Sequence, residues 1–248
     1  GSLNFNRRST VSLMGNWGEV RLGRDYTPGF WNLSKYSAFG TNGVGSAAGI
    51  FYPLKARITH VRASNSIGYH LPKMGGFFGT AMYAFGENAA DNDGRVVGAR
   101  LGYASGPVSA AVGVTKTTLS SLGDLRQTNI GGSYDFGVAK AMLLWGENKA
   151  GLGDRKTRVW AVGAHVPVGA GQVRVSYGAV KATNIANDAN HFALGYVHSL
   201  SKRTALYGTY ARVSNKDGGN AYAVGDGLAV ASAGGSSSGY QVGLRHSF

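Results

Sequence analysis

The sequence predicts an all-β fold, a transmembrane antiparallel up-and-down β-barrel. Three observations carry that prediction. Strand-length segments alternate apolar and polar residues from end to end; no window approaches the roughly 18 consecutive apolar residues of a membrane helix; and the links between segments alternate short and long. The 248 residues include 40 glycines, 5 prolines and 13 tyrosines. Glycine at that density argues against helices, since each interior Gly costs about 1 kcal/mol relative to Ala. Regularly spaced aromatic and β-branched side chains argue against disorder. Cysteine is absent, which removes a disulfide framework, thiolate metal sites and a Cys nucleophile. No signal-peptide pattern opens the chain at Gly1, so a mature chain or a piece of one is expected.

Thirteen segments follow the two-residue period. Segment 7–15 sets Arg8, Thr10 and Ser12 against Val11 and Leu13, and 18–26 follows the Asn16-Trp17 turn. Segments 62–71 and 77–87 flank the turn Pro72 to Gly76. Segment 95–105 opposes Val97, Ala99, Leu101 and Tyr103 to Val96, Gly98, Arg100 and Gly102, and Gly106-Pro107 leads into 108–118. Segments 125–136 and 138–149 meet at Gly137, and 156–168 and 171–183 at Gly169-Ala170. In 171–183, Val173, Val175 and Tyr177 oppose Arg174, Ser176 and Gly178. Segments 191–200 and 204–215 meet at Ser201 to Arg203, and 237–248 closes the chain. Between these hairpins lie longer polar links, 88–94, 119–124, 150–155, 184–190 and 216–236.

Short turns on one rim and long loops on the other describe an outer-membrane barrel. A soluble β-sandwich or a small ligand-binding barrel would bury one strand face in a dry core. Here the second face is Gly, Ser, Thr, Asn and Arg, which would make that core poor. The last segment agrees: Tyr240, Val242, Leu244, His246 and Phe248 share one face, opposite Gln241, Gly243, Arg245 and Ser247. An aromatic at a loose, solvated terminus is odd, but it fits an interfacial girdle. Bacterial barrels close on even strand numbers, and an open edge in lipid strands backbone amides. Thirteen is odd, so sixteen strands are expected, with three N-terminal ones absent from this chain.

The stretches Phe5 to Leu13 (FNRRSTVSL) and Trp17 to Tyr26 (WGEVRLGRDY) resemble strands four and five of the trimeric general porins of β-proteobacterial outer membranes. Val61 to Tyr69 resembles strand six, Leu194 to Tyr210 the penultimate hairpin, and Gly239 to Phe248 the closing strand. The similarity covers the whole chain and is greatest to the anion-selective major porins of comamonads. It implies a homotrimer in a Gram-negative outer membrane, in contact with the lipid bilayer and lipopolysaccharide, partnered by its missing N-terminal segment and passing small anions. It implies no cofactor.

Charge points to the cargo. The formal net charge is +13, and Tyr26 through Gly86 contain no Asp or Glu but do contain Lys35, Lys55, Arg57, Arg62 and Lys73. That window holds the 35-residue link 27–61, too long for an ordinary connection and too apolar for a solvated one. It reads as a loop folded inward to narrow the pore, and the resemblance implies the same. A ring of guanidinium groups favours anions. Arg8 and Arg62 are the leading ring candidates, Arg8 by parity and Arg62 by its place right after the loop. Arg24 joins them on the resemblance, with a bulge near Gly23 to shift its parity. Arg21, Arg100 and Arg174 have lumen parity, and with Lys55 and Arg57 they are expected to line the vestibules. Tyr240, Val242, Leu244 and Phe248 form the expected assembly strand.

Other chemistries find little support. The six histidines show no metal-ligand spacing, and no serine stands in a nucleophile turn. Gly40 to Gly45 lacks the Lys-Ser/Thr of a phosphate loop. Basic runs interleaved with aromatics, which nucleic-acid binding would use, are missing. The expected activity is a water-filled, anion-selective diffusion channel for organic acids and inorganic anions, not an enzyme. The alternatives are a substrate-specific channel with a saturable anion site and, in another class, a soluble β-sandwich adhesin.

Overall fold

The computed structural model describes residues 6–51, 61–86, 92–225 and 232–248. Thirteen strands form one antiparallel sheet in strict sequence order. They are β1 (Ser9–Gly15), β2 (Gly18–Tyr26), β3 (Arg62–His70), β4 (Phe77–Ala84), β5 (Val96–Ser105), β6 (Val108–Thr117) and β7 (Leu125–Asp135). Then follow β8 (Lys140–Ala150), β9 (Lys156–Val168), β10 (Gly171–Thr183), β11 (Asp188–Ser199), β12 (Thr204–Lys216) and β13 (Ser236–His246). Every expected segment is a strand. The largest departures are at ends: β4 stops three residues early, and β11 starts three residues early, shortening the link before it.

Two-residue hairpins close on Gly15↔Gly18, Ser105↔Val108 and Val168↔Gly171. Gly106 and Gly169 take φ of 52° and 56°, a left-handed conformation open to glycine at little strain. Alternation then sorts the two faces. Val11, Leu13, Leu101, Ile130, Leu143, Leu194 and Leu206 are all exposed on one side. In a soluble protein so wide an apolar surface would drive association; against acyl chains it is the required surface. Rings collect near the strand ends, with Phe77 and Tyr103 4.9 Å apart and Tyr134 and Phe136 4.5 Å apart.

One irregularity matters for the site. Gly23 pairs with Ser66, but Asp25 pairs with Ala63, so two steps on β2 match three on β3. The β1–β2 register runs uninterrupted through the same residues. The bulge expected on β2 near Gly23 is thus carried by β3, where Asn65 adopts φ 50°. Asn tolerates this left-handed backbone better than most side chains.

The inner face is covered by the link after β2. Its helix α1 (Pro28–Tyr36) starts at Thr27, whose hydroxyl accepts the Phe30 N–H at 3.3 Å, with Pro28 at the first helical position. Asn32, Leu33 and Tyr36 are buried on one side of it. A second turn, α2 (Ala48–Phe51), adds Ile50 and Phe51. With Leu144, Val159, Val180, Val213 and Tyr222 from the wall and the link after β12, these residues form the one sizeable apolar cluster among the described residues. Each fully buried Leu or Ile adds about 1.5–3 kcal/mol.

Candidate functional site

The site is built where this link crosses the inner wall. On one side, the Asn32 amide donates to Asn129 at 2.9 Å, and Asn129 donates to the Gly29 carbonyl at 2.9 Å. Arg100 donates through Nε to the Asn32 side-chain oxygen, and the hydroxyls of Tyr36 and Ser109 lie 3.0 Å apart. The chain then traverses. The Ala38 carbonyl sits 2.6 Å from His165 Nε2, and the Val44 N–H donates to Gln241 at 3.1 Å. Asn148 reaches the Phe51 carbonyl at 3.4 Å. Residues 27–51 are therefore held by β5, β6 and β7 along α1, by β9 and β13 in mid-course, and by β8 at Phe51.

The candidate cations fall into separate groups. Arg8 meets Asp25 at 3.1 Å, and Arg21 meets the same carboxylate at 2.5 Å and Glu19 at 2.8 Å. Asp25 is only 2% exposed, so removing its cations would leave a buried charge uncompensated. Arg24 is not shifted into the lumen as expected. With the extra residue on β3 and the β1–β2 register continuous, it stays opposite Ser9 on the parity of exposed Leu22. It donates to the Asn6 carbonyl at 2.9 Å and to the Ser64 hydroxyl at 2.7 Å. Arg62 stands at the base of the loop, its guanidinium 4.7 Å from the centre of the Tyr26 ring. Tyr26 in turn stacks on Phe30 at 5.1 Å. Lys55 and Arg57 lie outside the described residues.

Arg100 is joined by a partner that sequence reasoning left among the background charges. Lys35 Nζ lies 4.0 Å from the Phe78 ring centre and Arg100 Cζ 4.6 Å from the same ring. Lys35 keeps solvent contact. Even so, desolvation against the wall, then the charges of Arg100 and Lys140, pull its ammonium below the usual lysine range. Two of the cations hold spare donors: Arg62 Nε and one terminal nitrogen of Arg100 are buried without an acceptor among the described residues. Such groups call for an anion or water.

Arg174 lies apart. With Arg245, which the sequence reading placed on the polar face but not in the site, it lines a cavity of about 550 Å³ beneath Phe39 and Asn42. The signal for Arg245 was present in its parity, opposite Val242 and Leu244. Those two and Tyr240 point outward, Val242 being 87% exposed. Phe248 follows the strand end, its ring 4.9 Å from His246.

Comparisons with known proteins agree with this fold. The sequence profile described as Gram-negative porin matches residues 1–218. The chain is 41% identical to outer membrane porin protein 32 of Delftia acidovorans, over 99% of this chain and 74% of that one. It is 29% identical to an outer membrane porin protein of Bordetella pertussis, over 84% of this chain and 67% of that one. Among solved structures, the anion-selective porin from Comamonas acidovorans superposes with a TM-score of 0.86 at 40% identity, covering 99% of this chain and 79% of that one. The OmpT protein of Vibrio cholerae shares the fold alone, with a TM-score of 0.71 at 15% identity over 96% and 78%. By profile, identity and fold, the chain belongs to the Gram-negative porin family, the β-barrel channels of the outer membrane.

Proposed function

We propose that the protein forms a water-filled, anion-selective diffusion channel for small anionic solutes such as organic acids and inorganic anions, and that it performs no catalysis. In this reading residues 27–61 are the constriction loop of a single barrel domain. The observation that carries it is the acid-free loop lying on a basic wall: α1 brings Lys35 beside Arg100 and no loop carboxylate opposes them. Across a narrow, partly desolvated passage such cations attract anions more strongly than in bulk water. Arg62 extends the basic lining at the loop base, while Arg174 and Arg245 line a wider recess. The anion-selective Comamonas relative supports the same direction of selectivity.

A homotrimer in a lipid bilayer is part of the proposal, and an OmpT structure described as a trimer form is among the fold relatives. Planar-bilayer reversal potentials in a salt gradient test the central claim. A potential of the sign set by anion flow is expected, and cation preference would overturn it.

A further inference from the structure

The tie between the loop and β13 is a chain of hydrogen bonds that ends on an unused donor. The Val44 N–H donates to Gln241 Oε1 at 3.1 Å, which fixes the orientation of that amide. Gln241 Nε2 then donates to the Tyr207 hydroxyl oxygen at 3.0 Å. Tyr207 is thus the acceptor in this chain, and its own O–H has no acceptor among the described residues.

Tyr207 lines the cavity of about 550 Å³ that Arg174 and Arg245 also border. Arg174 spends its Nε on Gln172 at 3.0 Å, which leaves its terminal nitrogens for another partner. Among the described residues no carboxylate is within ion-pair distance of either guanidinium. A hydroxyl and two cations, donors all three, therefore border one space. A carboxylate, with several lone pairs and a full charge, is the acceptor such a set suits.

The rest of the cavity is not built for a bare ion. Phe39 roofs it, and Val197 and the Tyr207 ring stand on its wall. Two glycines let these rings sit directly on the backbone. A Cβ at Gly195 would come within 3.0 Å of the Phe39 ring, and one at Gly243 within 2.6 Å of the Tyr207 hydroxyl. Both rings are half-buried, and they border the cavity with part of their surface uncovered. A space of about 150 Å³ already accepts benzene, so this one has room for a ring and for water around a charged group. An inorganic anion would use the donors and leave the ring surface wet. A ring-bearing acid uses both, through offset or edge-to-face contact with Phe39.

We infer that this recess is a saturable site for aromatic monocarboxylates, with the carboxylate on the Tyr207 hydroxyl, Arg174 and Arg245 and the ring against Phe39 and Val197. The inference rests on the anion-channel reading and names a solute class for it. The site stands apart from Lys35 and Arg100, across the loop's span on β10 to β13.

The test is single-channel recording in planar bilayers at fixed chloride, with benzoate, cyclohexanecarboxylate and neutral benzamide added in turn. Benzoate is expected to block the current saturably, at a half-blocking concentration about threefold or more below that of cyclohexanecarboxylate, which has the charge without the flat ring. Benzamide should not block. Tyr207→Phe, which keeps the ring and removes the O–H, and Arg245→Gln should each raise the half-blocking concentration of benzoate about tenfold. Phe39→Leu should abolish the preference between the two acids, and Arg155→Gln on the exposed link should change neither value. The comparison of the two acids needs no variant, so it decides the matter even if a variant fails to insert. Chloride reversal potentials on the same membranes separate two failures. Cation preference would overturn the channel reading and the site with it. Anion preference combined with equal block by the two acids, with block by benzamide, or with unchanged block of Tyr207→Phe would overturn the site alone.

Discussion

Asp25 and Arg21, four residues apart on β2, are joined at 2.5 Å, and the same carboxylate takes Arg8 at 3.1 Å. With Glu19 also on Arg21, two cations are matched by two acids, and this part of the wall is close to neutral. Asp25→Asn should therefore uncover positive charge. The anion-to-cation permeability ratio is expected to rise, by about fivefold for a term of about 1 kcal/mol. Reversal potentials before and after the substitution decide it.

Arg62→Ala and Arg100→Ala should lower the ratio by a similar factor, because no carboxylate pairs with either among the described residues. Arg8→Ala should have less effect, its charge being engaged by Asp25. Arg155, on the exposed link between β8 and β9, should matter least. Molar salt should compress all these differences, since the screening length falls to about 3 Å. Equal effects at every position would mean that net charge alone sets selectivity.

Lys35 gives a pH signature. Its charged form persists below a pKa depressed by desolvation, Arg100 and Lys140, and it is lost as pH rises through that lowered value. Selectivity is thus expected to decline before ordinary lysines titrate near pH 10.4. Lys35→Arg should hold it constant over the same alkaline range. A titration of reversal potential against pH, run on both proteins, separates the outcomes.

Asn129 anchors the loop through Asn32 and Gly29. Asn129→Ala leaves the Asn32 amide and the Gly29 carbonyl without that partner, a loss of about 1–3 kcal/mol in local stability. Open-channel current noise and protease cleavage within 27–51 should both increase. Gly131 offers an independent lever, because a Cβ there would run into the Tyr36 ring. Gly131→Ala should change conductance by pushing α1 off the wall, with the anchors intact.

Phe248→Ser removes an aromatic from the chain's end, beyond the exposed outer row of Tyr240, Val242 and Leu244. The yield of membrane-inserted protein should fall, as read by heat-modifiable mobility on gels. Normal yield would remove the terminal strand from assembly.

Strand order and facing were legible because a two-residue period fixes them locally, and Arg100 and Arg174 fell on the inner wall by parity alone. The bulge was only half legible. A broken hydrophobic pattern signals an extra residue, but which of two paired strands carries it depends on register, which β2 does not encode by itself. Asp25 was overlooked for a related reason. It lies one residue before the acid-free window, and only the paired strands bring it against Arg8. Lys35 had no readable parity, since a helical turn in a loop carries no strand period.

A single curved sheet around a channel has little besides the packing on its inner face to stop it from flattening. The segment from Asn32 to Val44 spans that interior as a chord, tied to Asn129 on β7 and to Gln241 on β13. A chord of fixed length sets the distance between those two strands. The curvature of the sheet and the width of the passage along it are then one mechanical quantity, and a substitution that slackens either tie changes both together.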